Sequence, residues 1–184
     1  MPVEEPSTAK VQPIYSGYYI WRGAPNESDL SPETRRTMFP YYSFFLGDQL
    51  QALGYPISGM DDELRTGHRR YNFGWYRVAD AANLKQMCVD DHGHEHEFGV
   101  PPPLMRKDLV AQMRAEAETL LPPQYLDCLH HIDHPFFTPV YDFCSPSLVV
   151  GLWRDNYSSS PSYAAGPTKG MLRMACHRFR TNAA

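Results

Sequence analysis

Little in this 184-residue sequence announces a chemistry by itself. Cys88, Cys128, Cys144 and Cys176 stand far apart and form no Cys-x-x-Cys pair. That excludes a disulfide scaffold or zinc framework and leaves four reduced thiols. There is no Gly-x-Ser-x-Gly, no His-Glu-x-x-His and no P-loop, so no nucleophile elbow, metalloprotease helix or Walker-type phosphate cradle is signalled. No strand leads through Gly-x-Gly-x-x-Gly into a helix, so the chain carries no ADP-binding fold of its own. No apolar run nears the length of a membrane span, and the amino end, MPVEEPSTAKVQP, has two acids and three prolines where a signal peptide needs an apolar stretch. Lysine and arginine are scattered and the net charge is −4, which favours neither nucleic acid nor an acidic membrane surface as partner. The expectation is a soluble, cytoplasmic protein.

What the chain does have is aromatic and apolar substance. Hydrophobic residues make up 42% and aromatics 13%, enough for a packed core. The 17 prolines in 184 residues are roughly 9%, against about 5% in ordinary proteins, so many loops are stiffened. The densest stretch runs from Arg65 to Asp80, RTGHRRYNFGWYRVAD. In an extended chain Tyr71, Phe73 and Trp75 share one face, and Asn72, Gly74 and Tyr76 the other. One aromatic face backed by a small, polar and phenolic face suits the floor of a pocket for a flat molecule. A strand whose aromatics only fill a core has the same pattern, and alternation alone does not choose between them.

The rest of the chain reads as α+β: a mostly antiparallel sheet of about five strands with helices packed on one side. Ile14–Gly23 is a strand with Tyr18, Ile20 and Arg22 on one face and Tyr19 and Trp21 on the other. Ser31-Pro32 starts a short helix, with Ser at N-cap and Pro at N1. Tyr41–Leu46 and Gln51–Ile57 read as a hairpin about Gly47-Asp48, and Arg65–Arg77 is the next strand. Asp80 caps a short helix carrying Leu84, Met87 and Cys88. Leu109, Val110, Met113, Ala117, Leu120 and Leu121 recur at helical spacing until Pro122-Pro123. A second helix covers 123–133, and 136–143, interrupted by Pro139, is an edge strand.

Two histidine groups invite a metal reading. His92, His94 and His96 alternate along an extended segment, and imidazole is a common ligand for zinc, copper or nickel. Asp90-Asp91-His92-Gly93 is a turn, however, and a turn breaks the alignment of the rings. The expectation is no metal and a solvated tip. On that reading, replacing all three by Ser shifts stability by no more than about 0.5 kcal/mol. His130, His131 and His134 sit near a helix end, where protonated imidazole interacts well with the dipole.

Several segments in order carry a resemblance: YSGYYIWRG at 15–23, LGYPISG at 53–59, RRYNFGWYRVAD at 69–80, VPPPLMRKDL at 100–109, LLPPQ at 120–124 and PFFTPVYD at 135–142. The chain resembles the flavin-dependent aromatic-ring monooxygenases, most of all their dihydroxypyridine monooxygenase branch, over about residues 14–150. The resemblance implies a substrate-binding domain at 14–150, a sheet whose face lies over the isoalloxazine ring of FAD. It also implies NAD(P)H as reductant and a small aromatic or heteroaromatic substrate. Tyr18, Arg22, Asn72, Tyr76 and Tyr141, chosen by strand face, are the candidate substrate-orienting residues. None is expected to be a catalytic acid, base or nucleophile, because in that family the cofactor carries the chemistry.

After 150 the likeness thins. The family continues with Gly-Asp, a proline and a glycine-containing loop that meet the cofactor. Here Asp155, Pro161, Gly166 and Lys169 match, but Arg154 replaces the glycine, and a long side chain at a close backbone approach obstructs a ligand. The expectation is a loose arm at 1–13, and at 151–184 a degenerate remnant of the FAD-binding region with an irregular tail. The chain is then a fragment that neither retains FAD nor turns over alone. The alternative is a non-catalytic ligand- or partner-binding remnant of that family. With its cofactor-facing side uncovered, such a chain is expected to form a homo-oligomer or to bind a hydrophobic dye.

Overall fold

The computed structural model describes residues 13–142. In chain order these form β1 (Ile14–Gly23), α1 (Pro32–Met38), β2 (Ser43–Gly47), β3 (Leu50–Ile57), β4 (Arg70–Val78), α2 (Ala81–Met87), α3 (Lys107–Leu120), α4 (Pro123–His130) and β5 (Phe136–Asp142). The five strands make one sheet in the order β2-β3-β4-β1-β5, every neighbouring pair antiparallel. The architecture is α+β, with Pro139 on an edge strand where its missing N–H costs no ladder bond.

Local chemistry accounts for most boundaries. The Ser31 hydroxyl accepts from the Thr34 amide at 3.2 Å, and Pro32 follows at the first helical position. The Asp80 carboxylate accepts from the Asn83 amide at 2.7 Å and starts α2. Each cap satisfies an amide that the helix itself leaves without a partner. The double proline ends α3 and opens α4 with Pro123 at its first turn. Several bounds differ from the sequence reading: β2 is Ser43–Gly47 in place of the expected Tyr41–Leu46, and β3 starts at Leu50, so Gly47 belongs to the strand and not to the turn. α4 stops at His130, not 133, although Ile132 is still buried. Ile132 fills the space beside Gly23, where any Cβ would collide with it. Leu120 also falls outside the core, 36% exposed, while Leu121 is buried.

The larger correction is at β4, which begins at Arg70 and not at Arg65. Gly67 takes φ +88°, a left-handed conformation that breaks an extended run. Arg69 then turns to Glu27: its Nε and Nη2 donate to the two carboxylate oxygens at 2.9 and 2.8 Å. Its guanidinium also sits 5.0 Å from the Phe39 ring centre. Glu27 is only 2% exposed, and this two-pronged bond offsets the cost of burying its charge. The arginine beside it holds the Glu27 carboxyl below the usual carboxylate range.

The core lies on the helix side of the sheet. Tyr71, Phe73 and Trp75 of β4 are all but inaccessible to water, joined by Tyr19 and Trp21 of β1, Ala52 of β3 and Phe137 of β5. Phe39 after α1 packs on Tyr71 at 5.3 Å between ring centres, and Tyr125 of α4 packs on Phe73 at 6.2 Å. Gly54 is bare because the Tyr71 ring occupies the place of its Cβ. The two described cysteines, Cys88 and Cys128, are free and buried, and burial pushes the Cys128 thiol up to about 12. Among the described residues no helix is long and apolar enough to cross a membrane.

Removing the Trp75 side chain leaves a large cavity in this core. Trp75→Ala should therefore cost about 3–5 kcal/mol in denaturant unfolding, and Tyr76→Ala, one residue on and facing the other way, far less. Equal losses would contradict the two-faced strand.

Candidate functional site

The sheet face away from the helices is built from the alternate residues of the same strands. Register sets its rows. Leu53, Gly74, Arg22 and Phe136 stand side by side across β3, β4, β1 and β5, and Gln51, Tyr76, Ile20 and Thr138 make the next row. Asn72 stands beside Tyr55. The centre of the face is apolar, low and closed to water, with Ile20 4% exposed and Gly74 buried. Gly74 adds no side chain, and the space above it is taken by Ile20, whose Cδ1 lies 2.9 Å from where a Cβ would sit.

Polar groups stand around this apolar centre. The Tyr18 and Tyr76 rings are 6.0 Å apart and tilted by 47°. Burial, then the Asp142 carboxylate and Tyr76, raise the Tyr18 phenol above its ordinary value, so near neutral pH it stays a hydrogen-bond donor. Arg22 is exposed and makes no ion pair among the described residues. Tyr18, Arg22, Asn72 and Tyr76 therefore occupy one face, as their positions in the sequence imply. Tyr141 does not join them. It alternates with Val140 and lies on the side of Phe137 and Pro139, its ring 5.8 Å from Tyr15 and 5.6 Å from Phe98. Its hydroxyl donates to the Glu97 carbonyl at 3.2 Å. Asp155, Pro161 and Gly166 lie outside the described residues.

An aromatic group at the β2 margin went unread in the sequence. Tyr42 stacks on Phe44 at 4.8 Å and 27°, and on Tyr55 at 4.7 Å and 22°. Tyr42 and Phe44 are more than half exposed, and Leu46 is exposed on the same strand. The alternation in YYSFF at 41–45 is the signal that was there to find. Two clefts of about 620 and 480 Å³ are present, one between α1 and the 66–69 turn, the other between the sheet and α2–α3. Neither opens on this face. The face is a floor, and a pocket over it needs a second layer.

Chemically the floor can stack a flat ring and hydrogen-bond its edge. Among the described residues it presents no paired carboxylates.

The sequence pattern of the family described as FAD binding domain-like matches residues 15–142. The chain belongs to that family. A relative, 2,6-dihydroxypyridine 3-monooxygenase of Paenarthrobacter nicotinovorans, is 26% identical over 176 residues, 93% of this chain and 42% of the relative. A solved structure, 2,6-dihydroxypyridine-3-hydroxylase from Arthrobacter nicotinovorans, shares the fold with a TM-score of 0.68 at 24% identity, over 75% of this chain and 34% of that one. The chain thus spans less than half the length of either relative.

The histidine segment is organised around a residue that sequence reasoning treated only as part of a turn. Asp90 is 3% exposed. Its carboxylate accepts from the His92 and His94 amides, both at 2.9 Å, and its other oxygen lies 2.8 Å from His96 Nε2. His92 and His94 are exposed as expected, but His96 is half-buried against this carboxylate. Replacing all three is therefore not neutral, and the cost belongs to His96. These bonds, His96 first, hold the Asp90 carboxyl well below the usual range of about 3.8. The sign follows. A carboxyl depressed in the folded state stabilises it above the unfolded value and loses that contribution as pH falls through the folded one. Asp90→Asn should flatten the fall in melting temperature below about pH 4, and an unchanged acid limb would show that Asp90 is not its source.

Proposed function

We propose that residues 14–150 are the substrate-binding domain of an FAD-dependent aromatic monooxygenase acting on a small hydroxylated heteroaromatic ring. The observation that carries this reading is the division of labour across one sheet. The face with Tyr71, Phe73 and Trp75 is spent on the core, and the opposite face keeps Tyr18, Arg22, Asn72 and Tyr76 around a flat apolar centre. Family membership and the dihydroxypyridine relatives support the substrate class.

The fit to FAD is one-sided. A planar ring system would lie over the partly exposed phenols of Tyr18 and Tyr76 and beside Arg22, above a closed layer in which Ile20 is 4% exposed and Gly74 is buried. The nucleotide half finds no counterpart among the described residues: every strand pair is antiparallel, and a phosphate cradle at the start of a crossover helix needs parallel strands. FAD and NAD(P)H would supply the redox chemistry in this reading. The protein's part is to stack the substrate ring, hold its oxygens with Tyr18, Arg22 and Asn72, and keep water from the reacting edge. In this reading residues 1–13 are an arm, 151–184 carry a degenerate cofactor segment, and the chain is not catalytic alone.

Two outcomes test it. Purified chain should be colourless, without flavin absorption, and co-purification of stoichiometric FAD would contradict the one-sided fit. The exposed Phe44, Leu46 and Val78 should make the chain bind a hydrophobic dye or self-associate. Phe44→Glu with Leu46→Glu should reduce both. A monodisperse parent chain that binds no dye would mean that nothing is missing from above this face.

A further inference from the structure

The two edges of the sheet are not alike. β5 closes one of them and carries Pro139, and its pairing with β1 shifts register between Tyr15 and Tyr19. Proline and irregular pairing both discourage a further strand. β2 closes the other edge. From Tyr41 to Gly47 it has neither a proline nor a charge, and its ladder with β3 runs from Ser43 to Gly47 without a shift. Among the described residues its backbone makes no hydrogen bond outside that ladder. Only alternate residues of an edge strand bond to their one neighbour, so the outward amides and carbonyls of β2 are open to another strand.

The side chains beside this edge are apolar and accessible. Phe44 is 58% and Leu46 73% exposed, and Tyr42 stacks on Phe44. What pairs with the edge is narrowed by where the chain runs. The described residues begin at β1 and end at β5, both at the other margin of the sheet, so neither flank of them starts beside β2. β2 also matches itself. Laid antiparallel about a two-fold axis at Phe45, two copies set each Phe44 opposite Leu46 of the other. Ser43 then faces Gly47 and Tyr42 faces Asp48, and no charge meets its like.

We propose that β2 is a self-pairing edge. Two copies of the chain join antiparallel through Ser43–Gly47, and their two five-stranded sheets continue as one sheet of ten strands. The contact is isologous, because the same residues meet from both sides. It combines backbone hydrogen bonds with two Phe–Leu cross-strand pairs. It rests on the strand edge and does not depend on the flavin-dependent reading of the open face.

Sedimentation of the full chain over a concentration series tests this. A saturating monomer–dimer equilibrium is expected, with amide hydrogen exchange in 43–47 slowing as the dimer forms. Phe44→Lys with Leu46→Lys sets lysine opposite lysine and should weaken the dimer by roughly tenfold or more. Phe44→Glu with Leu46→Lys sets glutamate opposite lysine twice in the antiparallel arrangement, and like opposite like in a parallel one. It should therefore dimerise more tightly than the double-lysine variant, again by roughly tenfold. Val78→Lys, an exposed position away from this edge, should leave the dimer unchanged, and circular dichroism checks the fold of each variant. A monomer at every concentration would overturn the inference. If that monomer binds the hydrophobic dye, the edge pairing fails alone and the reading of the open face stands. Equal dimerisation of the two double variants, or loss of the dimer in Val78→Lys, would also overturn it. So would β2 amides already protected in the monomer, which would mean that the chain's own residues cover the edge.

Discussion

Everything else in this fold depends on the burial of one row of aromatics. Tyr71, Phe73 and Trp75 project from the same side of the central strand. All three are all but closed to water, and burying aromatic side chains of this size is a large apolar contribution. Helices must cover that row, and α1, α3 and α4 supply Phe39, Met113, Tyr125 and Leu129 to do so. Because strand side chains alternate, covering one face commits the other. The positions of Asn72, Gly74 and Tyr76 are therefore consequences of where the core lies.

That consequence gives the open face its character. A wholly antiparallel sheet can leave one face for another layer, and here the free face is neither an ordinary polar surface nor a closed pocket. Its centre is Gly74 under Ile20, its edges are phenols, a guanidinium and an amide, and its β2 margin is a stack of three rings, of which Tyr42 and Phe44 are exposed. The FAD binding domain-like family matches this sheet, and each dihydroxypyridine relative is matched over less than half of its own length. The proposed division between a protein that positions and a cofactor that reacts follows from what the floor lacks. It has groups that stack and donate, and none that attack.

Strand and cap chemistry made much of this legible beforehand. The bounds of β1, the Ser31-Pro32 helix start, the Asp80 cap and the edge position of the Pro139 strand are local matters, decided within a few residues. So is the alternation that sorts Trp75 from Tyr76. The misreadings share a different cause, which is distance along the chain. Arg69 leaves the strand because Glu27, 42 residues earlier, holds it. Tyr141 falls on the helix side because it alternates with Phe137 and Pro139, and only the pairing of Phe137 with Trp21 of β1, 116 residues earlier, shows that this face of β5 is the core face. Asp90 reads as a turn residue, and only the folded-back amides and His96 show it to be the centre of its segment. Gly54 and Gly23 look like ordinary strand glycines until Tyr71 and Ile132 are seen in their Cβ space.

Hydroxyl-radical footprinting read by mass spectrometry tests the central claim, that β4 divides a closed core from a free face, most directly. Residues of one strand, adjacent in sequence, are compared under identical exposure. The account predicts that Tyr76, with Phe44 and Leu46 on the same face, is oxidised readily in the native chain, while Tyr71, Phe73 and Trp75 are protected until it unfolds. Comparable oxidation of Trp75 and Tyr76 in the native chain would contradict it.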